Sequence, residues 1–364
     1  MKGEGVSLPG KRFSVRTAAG EGRLPRRSRA VEAAPAPSGR AASPPAPPAA
    51  DPPTAAADGA DGDSAPFRSG FVAFIGRPNV GKSSLCNALV GDKVAIVSDK
   101  PQTTRRRIMA VLHLPGAQIV LLDTPGVHRP RHRLGQRMVA AARESLTGVE
   151  AACLVVDAES PQPGQNDRRA AEHVLAAECP RLLVLNKSDL VPPGEIEARA
   201  AAYGGLAPAD RPFEAVVAVS ALTGAGLQDL LAAILPYLPP GPAYFPETAI
   251  TDQPEQFLAA ELIREQALAR LRDEVPHGVA VTIDEWKVRE SGLIYLGATL
   301  YVERETHRGI VIGRGGSMLR AIGLAARLEI ERRLGAAVYL DIWVKVKEDW
   351  RDRPGSLSTL GFSE

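Results

Sequence analysis

The sequence predicts an α/β domain with a mostly parallel sheet, followed by a smaller α+β domain. From residue 70 onwards, short β-branched runs alternate with segments of helical period, which is typical of a parallel sheet covered by helices on both faces. Prolines at positions 236, 239, 240, 242 and 246 then interrupt the alternation. Beyond them the order of helices and strands changes, which indicates a second domain.

The composition excludes several classes of protein. Among 364 residues, 44 Lys and Arg stand against 42 Asp and Glu, and the net charge of +2 excludes a histone-like or strongly acidic chain. Cys86, Cys153 and Cys179 form no C-x-x-C pair, so we expect reduced thiols in the core. No run approaches the ~18 apolar residues of a membrane span, and we expect a soluble intracellular protein.

Residues 1–66 differ from the rest, since more than half of them are Ala, Pro or Gly. Such a segment buries too little apolar surface to offset its ordering entropy, so we expect a disordered extension. Its many arginines leave an organelle-targeting peptide as the alternative, against which Glu4, Glu21 and Glu32 argue.

The expected domains are 67–238 and 254–364, with a linker at 239–253. Strands of the first domain are expected at 71–75, 108–114, 119–122, 152–156, 182–185 and 215–219. In the second domain we expect a helix at 256–271, strands at 279–288 and 293–302, a glycine-rich turn, a helix to about residue 334 and a strand at 338–346. Functional motifs should directly follow the parallel strands, because ligand loops lie at their carboxyl ends.

The first such motif is Gly-Arg-Pro-Asn-Val-Gly-Lys-Ser at residues 76–83, which fits G-x-x-x-x-G-K-[ST] between a strand and a helix. Gly76 and Gly81 let backbone N–H groups face phosphates, Lys82 would reach the β and γ oxygens, and Ser83 would bind Mg²⁺. Further expected nucleotide contacts are Asn79, Val80 and Ser84. A glycine-rich turn without a ligand is the alternative, but it does not explain the whole motif.

A second motif, Asp-Thr-Pro-Gly, follows the third strand. Asp123 at the end of that strand could order Mg²⁺, and the N–H of Gly126 could meet the γ-phosphate. Taken alone, this sequence is only a turn signature, so its weight comes from its position after the phosphate loop.

Two later loops point to guanine. Asn186, Lys187 and Asp189 belong to Asn-Lys-Ser-Asp, whose carboxylate can accept hydrogen bonds from both N1–H and N2–H₂ of guanine. The turn of Ser220, Ala221 and Leu222 would complete the base pocket, with the Ala221 N–H as a donor to guanine O6.

With these motifs in order, the sequence resembles the P-loop GTPases of the translation-factor class. The resemblance implies a switch segment at 100–105, in which Thr104, or alternatively Thr103, binds Mg²⁺ in the triphosphate state. Val127 stands where Ras-like proteins carry the glutamine that orients the attacking water. By the same resemblance Asn79 would ligate K⁺, and its alternative role is that of a turn residue. Lys82, Thr104 and Gly126 are the expected catalytic residues for slow, Mg²⁺-dependent hydrolysis.

The second domain carries Gly-Arg-Gly-Gly at residues 313–316, a G-x-x-G loop of the kind that clamps single-stranded RNA in KH domains. The order helix, strand, strand, loop, helix, strand is that of the type II KH fold. Residues 304–333 hold seven arginines against three glutamates, although a solvated helix face would also explain this charge. The expected RNA-binding residues are Gly309, Ile312, Gly313, Arg314, Gly315, Gly316 and Arg320.

Together the two domains resemble the Era family of GTPases over residues 70–364. The resemblance implies a monomeric cytoplasmic GTPase that binds GTP and GDP. Mg²⁺ is the implied cofactor, and K⁺ is a second one in related GTPases that carry a hydrophobic residue after D-x-x-G. It further implies binding to the 3′ end of small-subunit ribosomal RNA, a role in maturation of the small ribosomal subunit, and some peripheral association with the inner face of the cell membrane. The extension at 1–66 departs from the family pattern.

Two alternatives stay open at this point. The second domain could be an RNA tether beside a GTPase with little turnover, or an anionic membrane surface could be the main target, against which the near-zero net charge argues. Arginines near the switch segments could contact RNA or be solvated surface; they are Arg105, Arg106, Arg107, Arg129, Arg131 and Arg133.

Overall fold

A computed structural model of the chain describes residues 66–362, so the extension expected at 1–66 lies outside the described residues except for Pro66. The elements of the first domain are β1 (Arg68–Ile75), α1 (Lys82–Val90), β2 (Ile108–Leu114), β3 (Ala117–Asp123), α2 (Arg133–Glu144), β4 (Ala151–Asp157), α3 (Gln165–Leu175), β5 (Arg181–Asn186), α4 (Ile196–Gly204), β6 (Ala215–Ala218) and α5 (Leu227–Ile234). All six strands expected in this domain are confirmed.

These six strands form one sheet in the order β2-β3-β1-β4-β5-β6. Every neighbouring pair is parallel except β2 with β3, which is antiparallel. Strands β3, β4 and β5 are buried along their whole length, as expected for strands covered on both faces. The carboxyl ends of β1, β3, β4 and β5 consequently meet at one edge of the sheet, where the sequence motifs lie.

The segment expected as a linker, 239–253, lies along the first domain. The N–H of Gly241 donates to the carbonyl of Phe67 at 3.0 Å, and the N–H of Val111 in β2 donates to the carbonyl of Ile250 at 2.9 Å. Gln118 of β3 also accepts hydrogen bonds from the linker backbone. The linker is therefore a packed part of the structure and not a loose tether.

The second domain consists of α6 (Glu255–Arg270), β7 (Ala280–Val288), β8 (Ile294–Val302), α7 (Glu305–Ile312), α8 (Ser317–Leu334), β9 (Val338–Val346) and α9 (Pro354–Thr359). Its sheet has the order β7-β8-β9, with β7 antiparallel and β9 parallel to β8. Helices α6, α7 and α8 cover one face of it and form a single apolar core with the strands.

Two helices of this domain, α7 and the short α9 at its end, are absent from the sequence-based expectation. Residues 305–312 form α7, where the sequence analysis placed only a glycine-rich turn. Gly309 and three successive β-branched residues disfavour a helix intrinsically, but Val311 is fully buried against the domain core. Tertiary packing therefore overrides local propensity in this segment.

Cys86 and Cys153 are buried, Cys179 is half-buried, and all three are free thiols, as expected. Burial raises the pKa of each of them, so they are protonated and unreactive near neutral pH. Within residues 66–362, no helix has the length and apolar character needed to cross a membrane.

Candidate functional site: a nucleotide loop cluster and a G-x-x-G loop

The phosphate loop joins β1 to α1 and has the backbone shape that its glycines allow. Gly81 precedes α1 with φ of 90°, and a Cβ at this position would lie 2.3 Å from Nδ2 of Asn186. A Cβ on Gly76 would lie 2.2 Å from the carbonyl oxygen of Val155. Val80 is buried and Ser84 lies in the first turn of α1. The loop therefore has no room for side chains at either glycine.

Lys82 is the first residue of α1 and is buried beneath the loop. Its Nζ donates to the carbonyls of Gly76 at 3.2 Å and Arg77 at 3.0 Å. Burial lowers the pKa of Lys82 to about 8, against the opposite effect of Asp123. A nearby phosphate would raise this pKa again, because negative charge favours the ammonium form.

Three oxygen-bearing side chains from three separate motifs come together next to Lys82. Ser83 Oγ lies 2.6 Å from Asp123 Oδ2 and 2.8 Å from Thr104 Oγ1, and Thr104 Oγ1 lies 3.5 Å from the same carboxylate oxygen. Thr103, the alternative to Thr104, instead donates to the carbonyl of Lys100. The switch segment thus presents Thr104 to the phosphate loop.

This cluster fits a magnesium ion. Asp123 Oδ1 is buried and has no hydrogen-bond partner within the described part of the chain. Burial raises the pKa of Asp123 to about 6, although the hydrogen bond from Ser83 lowers it. All three side chains offer oxygen, the ligand that this cation prefers.

Asn186 connects the phosphate loop with both base loops. Its Nδ2 donates to the carbonyl of Val80 at 2.8 Å, and its Oδ1 accepts the N–H of Ala221 at 3.1 Å. The Ala221 N–H, expected to face guanine O6, therefore has a partner inside the protein. Asp189 is exposed at the rim, Ser220 is buried, and Leu222 is 86% exposed.

The segment from Gly126 through α2 follows the Asp-Thr-Pro-Gly motif and is called the second switch region here. A Cβ on Gly126, its first residue, would lie 2.6 Å from the backbone nitrogen of Pro78. Val127 is buried, and its hydrocarbon side chain has no group that could orient water; its backbone N–H donates to the carbonyl of Gly76 at 3.0 Å. His128 bridges the two switch regions, because its Nδ1 contacts the Gly126 carbonyl and its Nε2 contacts the Gln102 amide at 3.0 Å.

The G-x-x-G loop lies between α7 and α8. Gly313, Gly315 and Gly316 all have positive φ, at 72°, 55° and 80°. A Cβ on Gly313 would lie 2.8 Å from Met318, whereas a Cβ on Gly315 would meet no atom within 4 Å. Arg320 donates to the Gly315 carbonyl at 2.8 Å and so supports the loop from α8. Arg314 and Gly309 are exposed and Ile312 is half-buried.

Comparison with known proteins agrees with both domains. Residues 71–187 match the family described as 50S ribosome-binding GTPase, and residues 274–351 match the KH domain family. GTPase Era of Alkaliphilus oremlandii is 48% identical over 81% of this chain and 99% of its own length. GTPase Era of Geobacter metallireducens is 46% identical over 82% of this chain and 99% of its own.

The chain belongs to the Era family of GTPases. Solved Era structures agree with this assignment. Aquifex aeolicus Era, as a single-site variant bound to GDP and AlF₄⁻, is 38% identical, with a TM-score of 0.78 over 82% of this chain and 100% of its own. Era in complex with MgGDPNP and nucleotides 1506–1542 of 16S ribosomal RNA is 38% identical, with a TM-score of 0.76 over the same shares.

Sequence reasoning missed one ionic network of this Era-family protein. Asp157, at the end of β4, accepts from Lys187 Nζ at 2.6 Å and pairs with Arg77 Nη2 at 3.4 Å. Arg77 also pairs with Asp167 of α3 at 3.2 Å. The arginine of the phosphate loop therefore faces α3 rather than the phosphate side. Asp157 is the last residue of β4, and a carboxylate at the carboxyl end of a parallel strand is the sequence feature that could have predicted this network.

The contacts between the domains were also missed. Arg105 Nη1 donates to the carbonyl of Val279 at 2.6 Å, and its guanidinium lies 5.5 Å from the Trp350 ring centre. Arg106 Nη2 donates to the carbonyl of Leu360 at 2.8 Å. These two arginines are neither solvated surface nor free for RNA, because the second domain provides buried carbonyls and aromatic rings for them.

Helix α2 of the second switch region contacts the second domain as well. The N–H of Leu134 donates to the carbonyl of Arg351 at 2.9 Å, and the N–H of Arg133 donates to Asp352 Oδ1 at 2.9 Å. Leu134 and Met138 pack in one apolar cluster with Trp350. Both switch regions of this Era-family protein are therefore in contact with its KH domain.

Proposed function

We propose that this protein is a GTP-hydrolysing molecular switch that binds the 3′ end of small-subunit ribosomal RNA and acts in assembly and maturation of the small ribosomal subunit. The observation that carries the proposal is the likeness, over the whole length of the solved chain, to Era in complex with MgGDPNP and 16S ribosomal RNA nucleotides. The proposal is also supported by the phosphate loop, where Gly76 and Gly81 leave no room for a side chain, and by the positive φ angles of the G-x-x-G loop.

In the nucleotide site, Asp189 would recognise the guanine N1–H and N2–H₂, while Asn186 holds the base loop against the phosphate loop. Lys82 and the N–H of Gly126 would bind the β- and γ-phosphates. Other residues assigned to nucleotide contact are Gly76, Asn79, Val80, Gly81, Ser83, Ser84, Asp123, Lys187, Ser220, Ala221 and Leu222.

Ser83, Thr104 and Asp123 would hold Mg²⁺, which when bound neutralises charge that develops on the phosphate oxygens during hydrolysis. Thr104 comes from the switch segment, so this ligand is in place only when that segment is ordered against the phosphate loop. Val127 orients no water, and the attacking water depends on backbone groups and on a cation.

We propose K⁺ as that cation, held by Asn79. The Nδ2 of Asn79 donates to the carbonyl of Asp99 at 2.6 Å, which leaves the side-chain oxygen available for an ion. The positive φ of 65° at Asn79 is the alternative reason for an asparagine here, because this residue tolerates that conformation. Turnover should therefore be faster in K⁺ than in Na⁺ buffer, and Asn79→Ala should remove the difference. Equal rates in both buffers would contradict the proposal.

The RNA proposal assigns the nucleic-acid backbone to Gly313, Arg314, Gly315 and Gly316, with Gly309, Ile312 and Arg320 beside it. We would measure binding of a labelled oligoribonucleotide from the 3′ end of small-subunit RNA at fixed salt, since phosphate contacts depend on salt. Gly315→Asp should abolish binding. A Cβ at this position meets no atom within 4 Å, so the aspartate side chain would occupy the open space proposed for the RNA backbone and would bring a negative charge next to its phosphates.

Gly335→Asp is the matched control. Gly335 has φ of 62°, close to the 55° of Gly315, and a Cβ there also meets no atom within 4 Å. The control therefore brings the same charge and the same backbone strain to the same domain, outside the loop. Equal losses in both variants would refute a specific role of the G-x-x-G loop.

The same titration tests whether the domains are coupled. Tighter RNA binding with a non-hydrolysable GTP analogue than with GDP supports the switch, because contacts of both switch regions with the KH domain would carry the difference. Binding that ignores the nucleotide would instead favour an RNA tether.

We further propose that the protein acts as a cytoplasmic monomer on the small ribosomal subunit, with membrane contact only peripheral. Sedimentation of the full chain with ribosomal subunits and with vesicles of anionic lipid tests this: sedimentation with vesicles but not with subunits would overturn it.

A further inference from the structure

Two neighbouring charged residues of α6, Arg264 and Glu265, are buried in the second domain where it meets the first. Arg264 is 2% exposed and Glu265 is 6% exposed. Charged side chains are rarely buried without partners, because burial removes their hydration. Their partners across the domain boundary lie in the connection between α1 and β2, residues 91–107, which contains the switch segment.

Glu265 holds the beginning of this connection. Its Oε2 accepts from Lys93 Nζ at 2.6 Å, and its Oε1 accepts the backbone N–H of Val97 at 3.0 Å. Between these two contacts, Ile96 packs into the apolar core of the second domain. The first part of the connection is therefore fixed to α6 by an ion pair, a backbone hydrogen bond and a buried side chain.

Arg264 holds the end of the connection. Its Nη2 donates to the carbonyl of Thr103, and its charge is balanced by Glu261 one turn earlier in α6. The carbonyl of Thr103 belongs to the peptide bond that joins this residue to Thr104. On the other side of Thr104, Arg105 donates to carbonyls of the second domain. Thr104 therefore stands between two residues that the KH domain holds.

We infer that Arg264 and Glu265 are positioning residues for nucleotide hydrolysis, and that α6 of the KH domain keeps Thr104 beside Ser83 and Asp123. The inference rests on the proposed GTPase function and names how its site is regulated. Neither residue touches the phosphate loop or the base loops. Arg264 acts through the backbone carbonyl of Thr103 in the switch segment, and Glu265 acts through Lys93 and the backbone N–H of Val97 just before that segment. By linkage, a ligand that favours one arrangement of α6 changes the affinity for the triphosphate form, and the triphosphate changes the affinity for that ligand by the same factor.

The experiment compares single-substitution variants of the full chain. The first two are Arg264→Met and Glu265→Gln, and Arg270→Met is their matched control. Arg270 lies on the same helix, and its Nη1 donates to the backbone carbonyl and the side-chain oxygen of Gln266, one turn earlier. Hydrolysis rates, the Mg²⁺ concentration for half-maximal rate, and the affinities for GDP and for a non-hydrolysable GTP analogue are measured for each variant.

Arg264→Met should lower kcat about tenfold, as expected for loss of one charge-assisted hydrogen bond that positions a ligand. It should also raise the Mg²⁺ requirement and weaken analogue binding while GDP affinity stays unchanged, because Thr104 serves only the triphosphate state. Arg264→Lys should restore part of the loss, since it keeps a donor and the charge. A merely structural role would affect both nucleotides equally.

Lys93→Met keeps the test decisive if the buried variants fail to fold. Lys93 is 37% exposed, and the substitution removes its close pair with Glu265 at 2.6 Å and a longer one with Glu329 at 4.0 Å. It should show the same pattern to a smaller degree. The inference is overturned if Lys93→Met and every folded α6 variant hydrolyse GTP like the Arg270→Met control. A wild-type protein without any GTP hydrolysis would instead refute the proposed function itself.

Discussion

Replacing Asn186 by alanine is expected to weaken binding of both GTP and GDP, because this side chain joins two nucleotide loops. Asn186 is 1% exposed. Its amide donates to the Val80 carbonyl at 2.8 Å and accepts the Ala221 N–H at 3.1 Å. Asn186→Ala therefore leaves a buried acceptor in the phosphate loop and a donor in the base loop without partners.

The size of the effect follows from these two contacts. Each buried polar group that loses its partner costs about 1–3 kcal/mol. Water that enters the space of the missing amide recovers part of this, so we expect about 2–4 kcal/mol in total. Part of the loss lowers the free energy of unfolding of the nucleotide-free protein. The two loops can also move to find new partners for the unpaired groups. Such movement distorts the nucleotide site, so this part of the cost lowers nucleotide affinity, by a factor of ten for about every 1.4 kcal/mol.

The assay combines titration with fluorescent GDP and a fluorescent GTP analogue with urea unfolding of the nucleotide-free protein. The loss of unfolding free energy and the loss of binding free energy should sum to about 2–4 kcal/mol. The loss of binding free energy should be the same for GDP and for the GTP analogue. Asn166→Ala, in α3 and away from the loops, is the control and should change neither quantity. A sum below about 1 kcal/mol, or a loss confined to one nucleotide, would refute the reasoning.

Three further outcomes are expected. Trp350→Ala should lower the free energy of unfolding by about 3–5 kcal/mol, because this fully buried ring packs at the domain interface and its Nε1 donates to the Gly278 carbonyl at 2.9 Å. Chemical denaturation measures this loss, and a loss below about 1 kcal/mol would contradict the prediction. Asp157→Asn should weaken GTP and GDP binding about tenfold alike, since it breaks the pairs with Lys187 and Arg77 while Arg77 keeps Asp167; unchanged affinities in titration would exclude this role. Burial raises the pKa of Asp123 from 3.8 to about 6. The folded, nucleotide-free protein therefore favours the protonated carboxyl, and this contribution to stability is present below pH 3.8 and is lost as the pH rises through about 6. Urea unfolding between pH 4 and 8 should show the loss in the wild type and not in Asp123→Asn, and equal profiles of the two proteins would exclude it.

Much of the nucleotide site could be predicted from the sequence, because its chemistry follows local patterns. The phosphate loop is a single contiguous motif, and Asp123 and Asn186 each end a buried parallel strand. The edge where such strands end is common to all of them, so residues far apart in sequence had to meet there. The cluster of Ser83, Thr104 and Asp123 is the clearest example.

The interface between the domains could not be predicted in this way. Arg264 and Glu265 lie in a segment of helical period, where charged residues usually mark a solvated face, and no local pattern tells that this face is covered by another domain. The partner of Arg264 is a backbone carbonyl, which every residue possesses and no sequence motif records. Helix α7 was missed for a related reason, because its stability comes from burial of Val311.

The packed linker also protects the edge of the six-stranded sheet. Strand β2 is an edge strand, and exposed edges of this kind pair with other chains and promote aggregation. The linker covers part of this edge through the Val111 hydrogen bond to Ile250 and the bridge between Ala110 and Thr251. A rearrangement that pivoted within the proline-rich stretch would uncover this edge, because residues 250 and 251 would move away with the second domain. A pivot after Gln253, at the start of α6, would leave the edge shielded.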